Sequence, residues 1–131
     1  MFESSSYHKI VLSLGSNEHA VENIEKARQL LSDRFEKIRF SQAIYTDPID
    51  MPENSPQFIN QVAIAYTMKN PESIKPIIKQ IEQHIGRNAN DKEKGVIPID
   101  IDLLQWNDLI LKPEDMQRDY VTEGLHSLSM E

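Results

Sequence analysis

The segment from Ile97 to Leu104 places two carboxylates where they could bind a metal ion. It reads Ile-Pro-Ile-Asp-Ile-Asp-Leu-Leu, and the alternation of Asp100 and Asp102 with apolar residues is typical of a β-strand. Side chains alternate across a strand, so both carboxylates share one face, about 6–7 Å apart along it. Such oxygen ligands suit Mg²⁺, and the pair could hold two ions about 3.5–4 Å apart. The spacing alone is equally compatible with an edge strand whose acidic face is in water.

Composition limits the classes of protein to which the chain can belong. Its 131 residues predict a single domain, 1–131, in which the polar segment 1–7 is expected to be flexible. The net charge of −7 argues against nucleic acid as a partner, because phosphates require clustered basic residues. The chain has no cysteine, which excludes disulfides and thiolate catalysis. No apolar run approaches the ~20 residues of a membrane span, so the sequence predicts a cytoplasmic protein with no membrane partner.

Hydrophobic periodicity predicts six elements in the order β-α-β-β-α-β. The strands are predicted over 9–14, 35–45, 58–68 and 97–104, and the helices over 20–34 and 74–85. The second helix contains Pro76, which fits the first turn if Ser73 is the N-cap. This order is the split βαβ arrangement of ferredoxin-like α+β folds. It predicts an antiparallel sheet with both helices on one face and the opposite face free for a site.

Five short segments, taken in order, resemble landmarks of one enzyme family. They are Leu12 to Asn17, Tyr45 with Pro48, Pro56 to Asn60, Ile81-Glu82 with Gly86-Arg87, and Ile99 to Leu104. The family is 6-hydroxymethyl-7,8-dihydropterin pyrophosphokinase, an enzyme of folate biosynthesis. The landmarks span residues 9–111 with plausible spacing. This agreement in order implies shared ancestry.

The resemblance implies roles for particular residues. Asp100 and Asp102 would hold two Mg²⁺ ions that bridge the phosphates of ATP. Phe58 and Asn60 would hold the pterin, because an aromatic ring stacks on a flat heterocycle and an amide offers both a donor and an acceptor to its edge. The pterin hydroxymethyl oxygen would attack the β-phosphorus of ATP with AMP as the leaving group. Such chemistry depends on positioning and charge neutralisation.

Four further residues complete the expected site. Asp47 and Pro48, in the proline-rich loop, are expected to line the same cleft as the two pterin-binding residues. Glu82 and Arg87 are expected to bind the nucleotide, and a phosphate contact would give Arg87 a part in catalysis. Each site residue also has a structural alternative. An aromatic in a strand is often core, an asparagine often satisfies nearby backbone groups, and an arginine can neutralise the end of a helix.

The chain departs from the family where the phosphates of ATP would be held. The family carries Arg-Trp-Gly-Pro-Arg-Thr before the aspartate strand, whereas this chain has Lys94 in place of the tryptophan and Ile97 in place of the second arginine. The downstream Pro-His segment has lost its histidine, and Arg118 matches the following arginine only with a gap. Losing one well-placed donor typically costs about 3–4 kcal/mol of transition-state stabilisation. Lys92 and Lys94 are candidates to compensate, although a flexible ammonium does not reproduce a planar guanidinium. The sequence ends at Glu131, where the family usually continues, so a short, divergent member is expected.

Two classes of function stay open. The first is an enzyme that uses ATP and Mg²⁺ to pyrophosphorylate a pterin, with an activity that the eroded phosphate clamp could reduce. The second is a non-catalytic relative that binds a pterin-like ligand, a nucleotide or a protein partner on the same scaffold. An RNA-binding module is a weaker third option, because the chain is acidic and lacks the required aromatic and basic strand pattern. The sequence does not determine the oligomeric state.

Overall fold

The predicted strands assemble into one antiparallel sheet in the computed structural model, which describes residues 7–130. The strands are β1 (His8–Ser16), β2 (Lys37–Phe40), β3 (Ile44–Thr46), β4 (Phe58–Thr67), β5 (Asp100–Trp106) and β6 (Leu109–Ile110). Their order in the sheet is β2-β4-β1-β5-β6, and β3 also pairs with β4. This order confirms the ferredoxin-like fold. Most of the segment expected to be flexible, residues 1–6, lies outside the described residues.

Two long helices cover one face of the sheet, as predicted. They are α1 (Ala20–Arg34) and α2 (Pro71–Ile85). Apolar residues at spacings of three and four give each helix one buried stripe. The stripes pack on inward-facing strand residues, among them Ile101 and Leu103 of β5. The buried helix residues are Ile24, Ala27, Leu31, Ile74, Ile77, Ile78 and Ile81.

The opposite face of the sheet is only partly free, so that prediction is wrong where α5 covers the face. Three shorter helices follow α2 in the chain: α3 (Asp91–Lys94), α4 (Pro113–Met116) and α5 (Asp119–Ser129). Helix α5 packs on β4 and buries Val121 against Val62 and Leu104. Gly124 allows this close approach, because a Cβ atom there would lie 3.1 Å from Cγ2 of Val62. Among residues 7–130, no helix is long and apolar enough to cross a membrane.

The predicted strand 35–45 is interrupted at Ser41 and forms the separate strands β2 and β3. The backbone N–H of Ser41 donates to the carbonyl of Val62, and the Val62 N–H donates to the Ser41 hydroxyl oxygen at 3.0 Å. The amide of Gln61 donates to the Ser41 carbonyl. Ser41 is therefore held to β4 by three hydrogen bonds, and both short strands pair with β4.

Asn70, rather than Ser73, caps the N-terminus of α2, so the predicted cap is wrong. The Asn70 side-chain oxygen accepts from the Ser73 N–H at 3.0 Å, and Pro71 occupies the first helical position. Pro76 consequently lies in the second turn. The hydrogen bond that Pro76 cannot donate is the one to the carbonyl of Glu72, an exposed residue near the helix start.

The corrected cap makes a direct prediction. Asn70→Ala removes the side-chain acceptor and should lower the free energy of unfolding by about 1 kcal/mol, whereas the exposed Ser73→Ala should change it by less than about 0.5 kcal/mol. Urea denaturation of both variants measures the difference. A loss of stability in Ser73→Ala as large as that in Asn70→Ala would contradict Asn70 as the sole capping side chain.

Candidate active site

Asp100 and Asp102 lie on the sheet face away from α1 and α2, as their alternation predicts. Their neighbour Ile101 belongs to the core beneath the helices. In the register with β1, Asp100 stands opposite Gly15 and Asp102 opposite Ser13. The two carboxylates therefore share one face and project beside positions with little or no side chain.

The strand that carries the aspartates is central only in its second half. In the described chain, β6 pairs with Gln105 and Trp106 and reaches no further along β5. The first half of β5 therefore has β1 on one side and an open edge on the other. The backbone groups of this edge need other hydrogen-bond partners.

Glu82 and Arg87, at the end of α2, supply those partners. The Glu82 carboxylate accepts the Ile101 N–H at 2.7 Å, and Arg87 donates through Nη1 to the Ile99 carbonyl at 3.0 Å. The same Arg87 nitrogen lies 3.2 Å from Oδ1 of Asp100. These two side chains thus satisfy backbone groups that a neighbouring strand would otherwise bind, and Arg87 also holds the Asp100 carboxylate in place. Both also line a cavity, so this structural role is compatible with the predicted nucleotide contacts.

Two cavities meet at the aspartates. The edge cavity, about 550 Å³, runs between α2 and the open edge of β5 and is lined by Lys75, Lys79, Glu82 and Gln83 among others. The face cavity, about 340 Å³, lies over the sheet between the proline-rich loop and the α4–α5 segment. Four residues line both cavities: Arg87, Asp100, Asp102 and Lys112.

The face cavity brings together most of the residues predicted to bind a pterin. Phe58, Asn60 and Asp47 line it, whereas Pro48 is not among its lining residues. Gly15 forms part of the floor, because a Cβ atom there would lie 3.1 Å from the Asn60 side-chain oxygen and 3.5 Å from the Phe58 ring. The Asn60 amide donates to the Thr46 hydroxyl, which fixes its orientation. An aromatic ring and an oriented amide therefore share one cavity.

Tyr120 is a lining residue that the sequence analysis missed. It lies in the first turn of α5, partly buried against the core cluster that contains Val121, and adds a second aromatic ring to the face cavity. Burial raises the pKa of its hydroxyl, and a hydrogen bond with Ser13 opposes that rise. Its presence could have been inferred only from an amphipathic pattern after β5, where no element was predicted.

The electrostatics of the aspartate pair favour a bound cation. Burial raises the pKa of Asp102, the neighbouring Asp100 charge raises it further, and Lys112 lowers it from 3.5 Å away. Two carboxylates that repel each other in a partly dry site gain from a divalent ion. No group of three or more potential ligands is placed to hold a metal among residues 7–130. Mg²⁺ nevertheless fits, because it typically takes one or two carboxylates and completes its shell with water and phosphate oxygens.

The missing arginine leaves an apolar side chain in the site. Ile97 is 5% exposed and lines the face cavity. Lys92 lines the same cavity, as one of the two predicted compensating lysines, whereas Lys94 does not. Arg118 also reaches it and bonds to Asp115 at 3.0 Å. Cationic side chains thus enter from other segments.

The fold and site define a ferredoxin-like α+β domain with a paired-carboxylate cleft. The model of one family, 7,8-dihydro-6-hydroxymethylpterin-pyrophosphokinase, matches residues 11–130. The chain therefore belongs to this family, which confirms the resemblance seen in its motifs.

Curated relatives agree with the family assignment. The chain is 25% identical over 156 aligned residues to a folate synthesis bifunctional protein of Arabidopsis thaliana. The alignment covers 98% of this chain and 32% of that protein. It is 31% identical over 129 aligned residues to a protein of the same name from Chlamydia caviae, and that alignment covers 92% of this chain and 29% of the relative. The chain thus spans about a third of the length of these relatives. A de novo designed protein with a ferredoxin fold covers 76% of the chain at a TM-score of 0.32 and 10% identity, too distant to carry weight.

The buried Glu82 carboxylate predicts a pH dependence of stability. Burial, more than any other cause, raises its pKa above the ordinary value of 4.5. The folded protein then binds this proton more tightly than the unfolded chain, so the contribution of Glu82 to stability falls as the pH rises through the raised pKa. Glu82→Gln keeps an acceptor for Ile101 without the charge. Its stability relative to the wild type should therefore rise as the pH increases above 4.5, the ordinary pKa of a glutamate.

Urea denaturation at several pH values measures this difference. The matched variant Glu82→Ala leaves the Ile101 N–H without its acceptor and should cost about 1–3 kcal/mol at every pH. A wild type that gains stability over Glu82→Gln as the pH rises would show that Arg87 stabilises the ionised carboxylate more than burial opposes it.

Proposed function

We propose that this protein is an ATP-dependent pterin pyrophosphokinase of folate biosynthesis, which transfers pyrophosphate from ATP to 6-hydroxymethyl-7,8-dihydropterin. One observation carries the proposal: the aspartate pair lies where the face cavity and the edge cavity meet. A pterin in the first and a nucleotide in the second would bring the hydroxymethyl oxygen and the phosphates to the same two carboxylates. Such an enzyme would act in the cytoplasm on small-molecule substrates.

The face cavity has the chemistry of a pterin site. Phe58 and Tyr120 offer ring faces, the Asn60 amide offers a donor and an acceptor to a heterocycle edge, and Gly15 leaves the floor open. Asp47, whose carboxylate accepts from Gln57 at 2.9 Å, lies at the rim of the same cavity. A pterin held by these residues would lie in the same cavity as the two aspartates.

The edge cavity would receive the nucleotide. Arg87 lies at the junction of the cavities, where a guanidinium can hold a phosphate oxygen in line with the attacking hydroxyl. Glu82 would hold the edge of β5 in place beside the nucleotide through its hydrogen bond to the Ile101 N–H. Two Mg²⁺ ions held by Asp100 and Asp102 would neutralise charge on the phosphates during transfer.

The eroded phosphate clamp predicts slow turnover. An arginine is missing at position 97, and the downstream histidine of the family is absent. Two or more lost donors, at about 1.5–3 kcal/mol each, should slow transfer by at least ~10² relative to an intact family member. The apolar Ile97 in the cavity is also the observation that favours the second candidate, a relative that binds these ligands without turning them over.

AMP release from ATP in the presence of 6-hydroxymethyl-7,8-dihydropterin distinguishes the two candidates. Ile97→Arg should raise the rate, because it restores a donor within three residues of Asp100. Asp102→Ala should abolish the reaction, because it removes a metal ligand. Val96→Arg is the matched control, since it adds the same charge one residue away at a position that does not line the face cavity.

The outcomes separate the proposals. A wild type as fast as an intact family member would show that other cations have replaced the clamp. Absence of AMP release in the wild type and in folded Ile97→Arg would contradict the enzymatic proposal and favour the non-catalytic one. Circular dichroism of each variant establishes folding, because Ile97 is buried and an arginine there can cost stability.

A further inference from the structure

Lys112 is a cationic residue at the centre of the site that belongs to none of the five matching landmarks and opens the degraded downstream segment in which the family histidine is missing. It precedes Pro113 at the start of α4, and its backbone N–H donates to the Leu104 carbonyl at 3.3 Å. The following proline restricts its backbone conformation. Its side chain, about half exposed, lines both cavities. The backbone is therefore fixed at the end of β5 while the four-carbon stem can move.

The two aspartates each have a cationic partner, and the partners differ in how firmly they are held. Nζ of Lys112 lies 3.5 Å from Oδ1 of Asp102, and Nη1 of Arg87 lies 3.2 Å from Oδ1 of Asp100. Arg87 is also bound to the Ile99 carbonyl and lies 3.5 Å from Asp91. Lys112 has the longer ion pair and the more exposed side chain. Of the two cations, it is the one free to change partner.

We propose that Lys112 is a phosphate-binding residue that changes partner with the metal. Its ammonium pairs with Asp102 when no divalent ion is bound, and it moves to the polyphosphate of the nucleotide once Mg²⁺ takes the carboxylate. The inference rests on the proposed function, since it assumes that a nucleotide occupies the edge cavity. It gives the face cavity, in which Ile97 stands in place of the family arginine, a donor from a different segment of the chain.

The chemistry of lysine suits this exchange. Mg²⁺ and an ammonium compete for the same carboxylate oxygens, so metal binding releases Lys112 from Asp102. An ammonium carries three donors on a flexible stem and binds phosphate as a point charge, without the fixed geometry that a guanidinium requires. No covalent bond is made or broken in this exchange.

The test compares two ligands in Lys112→Ala. Binding of Mn²⁺ alone, followed by electron paramagnetic resonance, should become about threefold to fivefold tighter, because the competing ammonium is gone. Binding of the magnesium complex of a non-hydrolysable ATP analogue, measured by calorimetry, should become about tenfold weaker or more, because a phosphate donor is lost. Lys112→Arg should recover most of the nucleotide affinity. Lys9→Ala, at the far end of β1, should change neither.

Opposite effects on the two ligands are the signature, because a purely structural role would weaken both. Unchanged or weaker Mn²⁺ binding in Lys112→Ala overturns the proposal, and so does unchanged affinity for the ATP analogue. The proposed function fails separately if both opposite effects are seen and the wild type still releases no AMP with the pterin. A wild type that binds no ATP analogue overturns both.

Discussion

The side chain of Asn17 ties together three segments that wall the cleft. Its amide nitrogen donates to the Pro56 carbonyl at 3.1 Å and to the Gly95 carbonyl at 3.0 Å. Its amide oxygen accepts the Ile97 N–H at 2.5 Å, and its backbone N–H donates to the Ile97 carbonyl at 3.0 Å. The residue is 6% exposed. The end of β1, the proline-rich loop and the segment that enters β5 are therefore fixed by one side chain.

The site depends on this junction because its parts come from distant positions in the chain. The floor is made by β1, one wall of the face cavity by the proline-rich loop and β4, and the aspartate pair is carried by β5. Only an amide can both donate twice and accept at this position, since a carboxylate lacks the donors and an apolar side chain lacks both. A buried polar partner left unpaired costs about 1–3 kcal/mol, so other residues here would loosen the walls.

How much the sequence could predict depended on how local each signal was. The alternation around Asp100 and Asp102 and the isoleucine stripe of α2 are local patterns. The first correctly predicted the sheet face that carries the aspartates, and the second the buried side of the helix. The break between β2 and β3 depends on hydrogen bonds between Ser41 and β4. Because β4 lies about 20 residues further along the chain, the local sequence around Ser41 does not show these bonds. The N-cap depended on choosing between Asn70 and Ser73, two good capping residues three positions apart. Helix α5 contains a glycine and several polar residues, which make its apolar side hard to recognise in the sequence.

The site shows the same division. Phe58, Asn60 and Asp47 were predicted together and do share a cavity, whereas Pro48 does not line it. The roles assigned to these residues stay predictions, as does nucleotide binding by Glu82 and Arg87. Tyr120 and Lys112 were missed because they follow β5, where the family pattern is degraded and contacts with the cleft arise only from tertiary packing.

Hydrogen exchange at the Ile97 amide tests most directly whether Asn17 holds the cleft together. In Asn17→Ala this amide loses its acceptor and should exchange about tenfold faster or more, while the Val62 amide in the middle of β4 keeps most of its protection. Asn90→Ala, an exposed asparagine beside the same segment, should leave both amides unchanged. Unchanged exchange at Ile97, or an equal acceleration at Ile97 and Val62, would contradict the account.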